Sequence, residues 1–312
     1  MWIVLAFVSA LCLGFYDISK KIALRDHHVV DVLTASVLIS AGILAVPLLL
    51  SRLCPEAMSS TPFFVPRMDL QAHLLILIKS VIVLSSWIFA YVALKHLPIS
   101  VVSPWQATRP MWTLIGAMLL FGERLNGGQW AGVVLAIGSI FAFSFASHRS
   151  NHPSLEGKSK IKYLKSESCN KYYIALALAI LIGSCSGLYD KFMMRHYDHN
   201  AVQVYYTFYQ ALMMLVVWGI AKRGKSGQSP KEARSLLPIA LISIFLVISD
   251  NVYMLALRDP DSLIAVVSTI RRGGAVISFA YGLLLLREKD PVPKILCMLG
   301  IIAGLICLAV AQ

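Results

Sequence analysis

Ten stretches of the chain are apolar for about 17–25 residues, the length a helix needs to cross a bilayer. They run approximately over residues 2–18, 30–50, 73–94, 97–121, 129–147, 172–189, 201–221, 236–257, 261–286 and 295–311. Polar residues gather between them. The longest polar connection, 148–171 (HRSNHPSLEGKSKIKYLKSESCNK), separates the fifth stretch from the sixth. The pattern predicts an all-α membrane protein of ten transmembrane helices, five on each side of a basic polar linker. An odd number of crossings per half turns the halves over, so the expected architecture is two inverted five-helix repeats, 1–147 and 172–312.

The ninth stretch departs from the apolar pattern. Ser262 to Glu288 (SLIAVVSTIRRGGAVISFAYGLLLLRE) places Arg271 and Arg272 side by side near its middle. An arginine at the centre of a membrane helix costs at least about 2.5–3.5 kcal/mol, so both need partners, water or a ligand. The fourth stretch repeats the pattern with one arginine. Tyr91 to Pro98 (YVALKHLP) matches Tyr253 to Pro260 (YMLALRDP) in outline, 162 positions later, and the same offset sets Ser100 on Ser262 and Arg109 on Arg271. Gly14-Phe15-Tyr16-Asp17 is echoed by Gly187-Leu188-Tyr189-Asp190. Gly122-Glu123-Arg124 is echoed by Arg287-Glu288-Lys289 after a short insertion. Three echoes in one order indicate an internal duplication.

Composition agrees with the class: 58% of residues are hydrophobic and only 14% charged, against roughly a quarter charged in soluble domains. The net charge of +12 is distributed as topology. Eighteen Lys and Arg fall in loops 1–2, 3–4, 5–6, 7–8 and 9–10, against six in the other four loops. The positive-inside rule then puts the first set in the cytoplasm and both termini outside the cell membrane. An excess of charge split among the loops of one face is a poor signature for nucleic acid. Six cysteines lie mostly in apolar runs without Cys-x-x-Cys or Cys/His spacing, so they are expected to pack as small apolar residues, with no metal and no cofactor. No basic residue precedes the first apolar run, which is expected to be a retained span and not a cleaved leader.

Four basic residues remain inside the expected spans: Lys79, Arg109, Arg271 and Arg272. Arginine's planar fork suits bidentate capture of carboxylate or phosphate. The alternative is pairing with the membrane acids Asp17, Asp190 and Asp250, which are the counter-ion or proton-coupling candidates. Asp17 and Asp190, near span ends, could also be interfacial caps beside Lys20, Lys21 and Lys191. Lys79 could snorkel to the interface on its long stem. Ser268, Arg271 and Arg272 share one helical arc, as do Gln106, Arg109 and Pro110. With Ser100, Ser103, Thr108 and Thr269 they make spans four and nine unusually polar, and such a stripe needs a cavity or a bundle core. Glu123 and Glu288, at span ends, are expected to be gating or structural residues in salt bridges with Arg124, Arg287 or Lys289. Gly128/Gly132 and Gly300/Gly304 have the four-residue spacing of close helix approach, within the chain or in a homodimer.

The duplication, the YVALKHLP-type junction, the Pro98 and Pro260 starts of the following spans and the FGERL and LLREK ends together resemble the drug/metabolite transporter superfamily, in its ten-span branch with two EamA-type repeats. The resemblance implies that spans four and nine line a central cavity and that the halves rock to give alternating access. It would place Arg109, Arg271 and Arg272 at a substrate site; Ser268, Gln106, Trp105 and Tyr91, on or near the same spans, are further substrate-contact candidates, with Trp87 and Trp112 nearby. Arg271-Arg272 is similar to the basic pair with which the plastid phosphate translocators hold phosphate. Family members usually keep both termini in the cytoplasm, opposite to the charge distribution here.

The expected function is a secondary transporter for a small anionic metabolite, phosphorylated or carboxylated. The alternative is an exporter of amino acids or drug-like metabolites in which the arginines form structural ion pairs. A flippase for a phosphate-linked lipid, or an enzyme acting on one, is a further alternative. The enzyme would need a nucleophile or base beside the arginines, and the central turns of spans four and nine carry no carboxylate or histidine. The expected partners are the bilayer and a small molecule.

Overall fold

The computed structural model describes residues 1–26, 28–97, 102, 105–106, 108–151, 167–223, 236–274, 276–277, 280–281 and 291–311. Among these the longer elements are all helices: α1 (Trp2–Asp26), α2 (Val29–Leu53), α3 (Pro55–Ser59), α4 (Leu70–His96), α5 (Arg109–Phe121), α6 (Gly127–Asn151), α7 (Glu167–His196), α8 (His199–Arg223), α9 (Leu237–Arg258), α10 (Ile264–Arg272) and α11 (Pro291–Val310). No strand occurs among the described residues. Among the described residues six helical stretches are long and apolar enough to cross a membrane: Trp2–Leu24, Val29–Leu53, Leu70–Ala90, Lys171–His196, His199–Lys222 and Leu237–Arg258. They fall on expected spans one, two, three, six, seven and eight. The fourth, fifth, ninth and tenth expected spans fall on α5, α6, α10 and α11, whose described apolar stretches are shorter: Arg109–Phe121, Gly127–Ala142 and Ile295–Val310 for α5, α6 and α11, and the whole of α10. The short α3, after α2, belongs to none of the ten expected spans.

Two compact units divide the chain, and each draws on both sequence halves. One comprises Met1–Val81 with Asp190–Pro260, the other Ile82–Tyr189 with Asp261–Gln312.

In the first unit α1 packs along α9 through two buried serines. Ser9 Oγ donates to Ser249 O at 2.9 Å and Ser249 Oγ donates to Ser9 O at 3.0 Å. Small polar residues let the backbones approach, and each hydroxyl satisfies the other helix's carbonyl. α2 and α8 run antiparallel. Late in α2, Arg52 Nη2 donates to the Tyr205 hydroxyl near the start of α8 (2.7 Å), while Asp31 near the start of α2 accepts from Trp218 Nε1 late in α8 (2.8 Å). Near the Arg52–Tyr205 end Leu44, Val65, Ala201 and Val204 form a buried apolar cluster.

In the second unit α6 and α11 meet through the four spaced glycines. A Cβ on Gly304 would stand 2.6 Å from Ala136 N, and one on Gly132 would stand 2.9 Å from Gly304 O. Gly128 meets Ala311 and Gly300 meets Ser139 in the same way. Of the two arrangements open to these glycines, the fold adopts packing within the chain. A second buried cluster joins Ala93 and Leu97 to Val102, Leu176 and Ile180.

Candidate functional site

Glu123 fixes the geometry of the arginine-bearing helices in the second unit. α5 ends on Gly122, whose φ of 64° gives the left-handed turn that glycine allows. The next residue, Glu123, is 6% exposed. Its carboxylate accepts the backbone N–H groups of Ile264 (2.8 Å) and Ala265 (3.2 Å) at the start of α10. A helix start leaves four such donors without intrahelical partners, and a negative charge there also favours the helix dipole. Glu123 thus caps the start of α10 from a buried position. The end of α5 therefore meets the start of α10, with Arg109 first in α5 and Arg271 and Arg272 last in α10. At 1.5 Å per residue, Arg271 lies about 10 Å and Arg109 about 20 Å along the helices from that tie.

Helical geometry changes at each arginine. Beyond Arg272 the hydrogen bonds tighten to three-residue spacing: Gly273 N–H to Ile270 O (2.8 Å), Gly274 N–H to Arg271 O (3.3 Å), Val276 N–H to Gly273 O (2.9 Å) and Ile277 N–H to Gly274 O (3.1 Å). Before Arg109 the same spacing occurs, with Thr108 N–H on Trp105 O (3.1 Å) and Met111 N–H on Thr108 O (2.9 Å). Turns at these places interrupt the helical ladder, although Gly273 N–H also keeps a four-residue bond to Thr269 O (3.3 Å). Gly273 is required where it stands, because a Cβ there would meet a Leu305 methyl at 2.5 Å and Ile270 O at 2.9 Å.

The arginines have different surroundings. The Arg109 guanidinium lies directly over Gly183 of α7, where any Cβ would overlap it. Its Nη2 is 3.4 Å from Ser86 Oγ, and its carbonyl accepts from Ser184 Oγ at 3.1 Å. Ser86 in turn donates to Ala179 O (2.9 Å), so α4 and α7 form a polar seat for Arg109. Arg271 is half-buried and Arg272 exposed, as expected of neighbours about 100° apart on a helix. Ser268 is half-buried and donates to Ala265 O (3.2 Å), as does the buried Thr269 (2.7 Å). Trp105 and Gln106 are exposed. Glu288, Ser100, Ser103 and the Tyr91 side chain lie outside the described residues.

The first unit holds the other candidates. Lys79 on α4 meets Asp190 on α7 at 2.7 Å, with 3% and 13% of their side chains exposed. Lys79 Nζ also stands 4.4 Å from the centre of the Tyr206 ring on α8. Lys79 is thus buried in an ion pair and does not snorkel, and Asp190 faces the bundle interior and is no interfacial cap. Asp17 is exposed on α1 and Asp250 half-buried on α9. Beside them an amide network joins α8 to α9. Asn251 Nδ2 donates to Asn200 Oδ1 (3.0 Å) and Gln203 Oε1 (2.8 Å), and Gln203 Nε2 donates to Val247 O (2.7 Å).

At the start of α8, Asp198 accepts the N–H groups of Asn200 (3.0 Å) and Ala201 (3.2 Å) and lies 3.4 Å from Arg258 Nη1. Burial pushes the Asp198 carboxyl up. The hydrogen bonds from His199 and Ala201 and the charges of His199 and Arg258 outweigh it, so its pKa lies below the ordinary value.

The structure therefore brings Lys79 to Asp190 and orders Arg109, Arg271 and Glu123 along one helix pair. Sequence reasoning missed Tyr206, Ser86, Gly183 and the Gln203–Asn251 network. Two polar residues seven apart in the seventh apolar run, Gln203 and Gln210, were a visible signal for a polar face on α8.

Residues 1–145 match the model of the EamA-like transporter family. One solved structure, described only as the crystal structure of a protein, has the same fold: its TM-score is 0.73 at 14% identity, covering 99% of this chain and 96% of its own. No curated protein matches the sequence.

Proposed function

We propose, from the match of residues 1–145 to the EamA-like transporter family, that the chain is a transporter of the drug/metabolite transporter superfamily and carries a small anionic metabolite, phosphorylated or carboxylated, across the membrane. The observation that supports this reading is the interruption of both arginine-bearing spans at their arginines. In transporters with inverted repeats, discontinuous helices place charged groups and helix ends at the substrate. The start of α5 adds its dipole to Arg109, and both favour an anion. Lys79 adds no net charge, because Asp190 cancels it.

In this reading the ten spans form two inverted repeats that alternate access by rocking, with residues 148–171 as linker. Arg271 and Arg272 grip the anion, Ser268 adds a hydroxyl, and Trp105, Gln106 and Tyr91 contact the rest of the substrate. Arg109, seated on Gly183 and Ser86, sets the field from fixed geometry. Glu123 holds the start of α10, so that the arginines at its other end keep their register. Asp250 and Asp17 serve as counter-ions or coupling carboxylates. Nothing in this scheme requires bond-making chemistry.

One observation favours the second reading, an exporter of amino acids or drug-like metabolites. The glycine seat of Arg109 is what a structural arginine would have. A thermal-shift screen separates the two. The purified chain in detergent is exposed to phosphorylated and carboxylated metabolites, neutral amino acids and cationic drugs, with Arg271→Gln and Arg272→Gln alongside. A ligand of the folded state at 100 times its Kd adds about 2.7 kcal/mol. The anion reading expects stabilisation by anions alone and its loss in both variants. No response to anions, with lowered ligand-free midpoints in both variants, supports the exporter.

A further inference from the structure

Three ionisable groups of the first unit form a triangle where α8 begins and α9 ends. Asp198 stands in the connection between α7 and α8, His199 is the first residue of α8, and Arg258 is the last of α9. His199 Nδ1 lies 3.4 Å from Arg258 Nη1 and 3.6 Å from Asp198 Oδ2, and Arg258 Nη1 lies 3.4 Å from Asp198 Oδ2. His199 is 8% exposed, whereas 53% of the Arg258 side chain is exposed. One buried ring nitrogen therefore faces a permanent cation and a carboxylate together.

That nitrogen can serve only one of them at a time. Arginine has donors and no acceptor, so in the neutral ring Nδ1 accepts from Arg258 and the proton sits on Nε2. Arg258 then bridges His199 and Asp198 and ties the end of α9 to the start of α8. A proton on Nδ1 reverses the arrangement. The ring becomes a cation that donates to Asp198 and meets Arg258 as a like charge at 3.4 Å. Of the two cations Arg258 is the one that leaves, because its side chain already reaches solvent. Asp198 stays charged over the range in which histidine ordinarily titrates, about pH 5–8, since its pKa lies below the ordinary carboxylate value. The N–H groups of Asn200 and Ala201 hold its carboxylate in either state.

The other ionisable groups near this end have their own places. His196 on α7 is exposed, with Nδ1 on Phe192 O, and Arg195 beside it is exposed too. Tyr197 and Asp259 are half-buried. His73 of α4 lies against Tyr205 and Tyr209, further along α8. The loop before α4 reaches the start of α8 through the carbonyls of Pro62 and Phe64, which accept from Asn200, while its Arg67 and Asp69 are exposed.

We propose that His199 is the proton sensor of a latch: the neutral ring holds Arg258 and closes the end of α9 on α8, and the protonated ring turns to Asp198 and releases Arg258. From Arg258 the chain runs through Asp259 and Pro260 to α10, so the latch acts on the segment that leads into the Arg271–Arg272 helix. It does not depend on what the chain carries.

The test reads amide hydrogen exchange in the full chain, purified in detergent, over the peptide from Asp250 to Ser262. Exchange is compared at about pH 5.5 and about pH 7.5, on either side of an ordinary histidine, with the intrinsic pH dependence of amide exchange divided out. The wild-type peptide should open about two- to fivefold more at the lower pH, the size of a tie half open to solvent. His199→Asn keeps an acceptor where Nδ1 stood but carries no titrating proton, and should stay protected at both values. Arg258→Gln removes the tie and should exchange fast at both. The two variants thus flatten the response at opposite levels, whereas titration of His196 or His73 would leave the response of His199→Asn intact. If His199→Asn does not fold, the wild type and Arg258→Gln, altered at an exposed side chain, still decide. Equal exchange of the wild type at the two pH values overturns the proposal, as does a wild-type response kept by His199→Asn or by Arg258→Gln.

Discussion

In the first unit a lysine and an aspartate meet at 2.7 Å, almost wholly buried, with an aromatic ring beside the ammonium. In the second unit three arginines stand where helices begin or end, one seated on a glycine and the others at the close of a nine-residue helix. The first arrangement cancels charge inside continuous helices. The second places three arginines where the helix ladder is interrupted. A buried neutral pair holds helices in place, whereas cations at helix breaks can meet something that arrives. The comparison is the physical basis for assigning the anion to the second unit.

The largest expected effect is in the first unit. Lys79→Met or Asp190→Leu alone leaves an uncompensated buried charge and should lower stability by about 3–5 kcal/mol in denaturant unfolding. The double variant should recover most of that loss. A loss in the double variant as large as in the singles would mean that the pair is no coupled unit.

Next comes the glycine packing of the second unit. Gly304→Ala pushes a methyl against the Ala136 backbone and should cost about 1–3 kcal/mol. Gly138→Ala meets nothing within 4 Å and should gain up to about 1 kcal/mol from helix propensity. Equal effects would contradict the packing described.

Glu123→Gln keeps the shape of the cap but removes its charge, for an expected loss of about 1 kcal/mol. Transport should fall further than stability, because α10 also carries Arg271 and Arg272. Transport unchanged alongside lowered stability would separate the cap from the site.

The smallest effect is electrostatic, at the start of α8. Asp198 has a lowered folded-state pKa, so its contribution is complete above the unfolded value of about 3.9 and is lost as pH falls through the folded value. The wild-type midpoint should drop faster than that of Asp198→Asn below about pH 4. Parallel curves would remove Asp198 from the account.

Much of this was legible in the sequence. Apolar runs set by bilayer thickness gave six continuous crossings near their expected ends, because burial in lipid demands helix and length together. The polarity of spans four and nine announced where the helices are interrupted, but periodicity cannot say whether a polar span bends or breaks. Partner choice was not legible. Lys79 and Asp190 are 111 positions apart, and no local pattern links them. Glu123 stood next to Arg124 in sequence and turned instead to backbone donors at Ile264 and Ala265, which have no signature in a residue string. The glycine spacing identified close packing but not the partner, since Gly304 fits Ala136 of the same chain as readily as it could fit a second copy.

The measurement that bears most directly on the central claim is uptake of small phosphorylated and carboxylated metabolites into proteoliposomes, comparing wild type with Arg271→Gln, Arg272→Gln and Lys79→Met/Asp190→Leu. The account predicts anion uptake by the wild type, its loss in both arginine variants at preserved folding, and its survival in the neutral double variant. Anion uptake undiminished in Arg271→Gln and Arg272→Gln would contradict it.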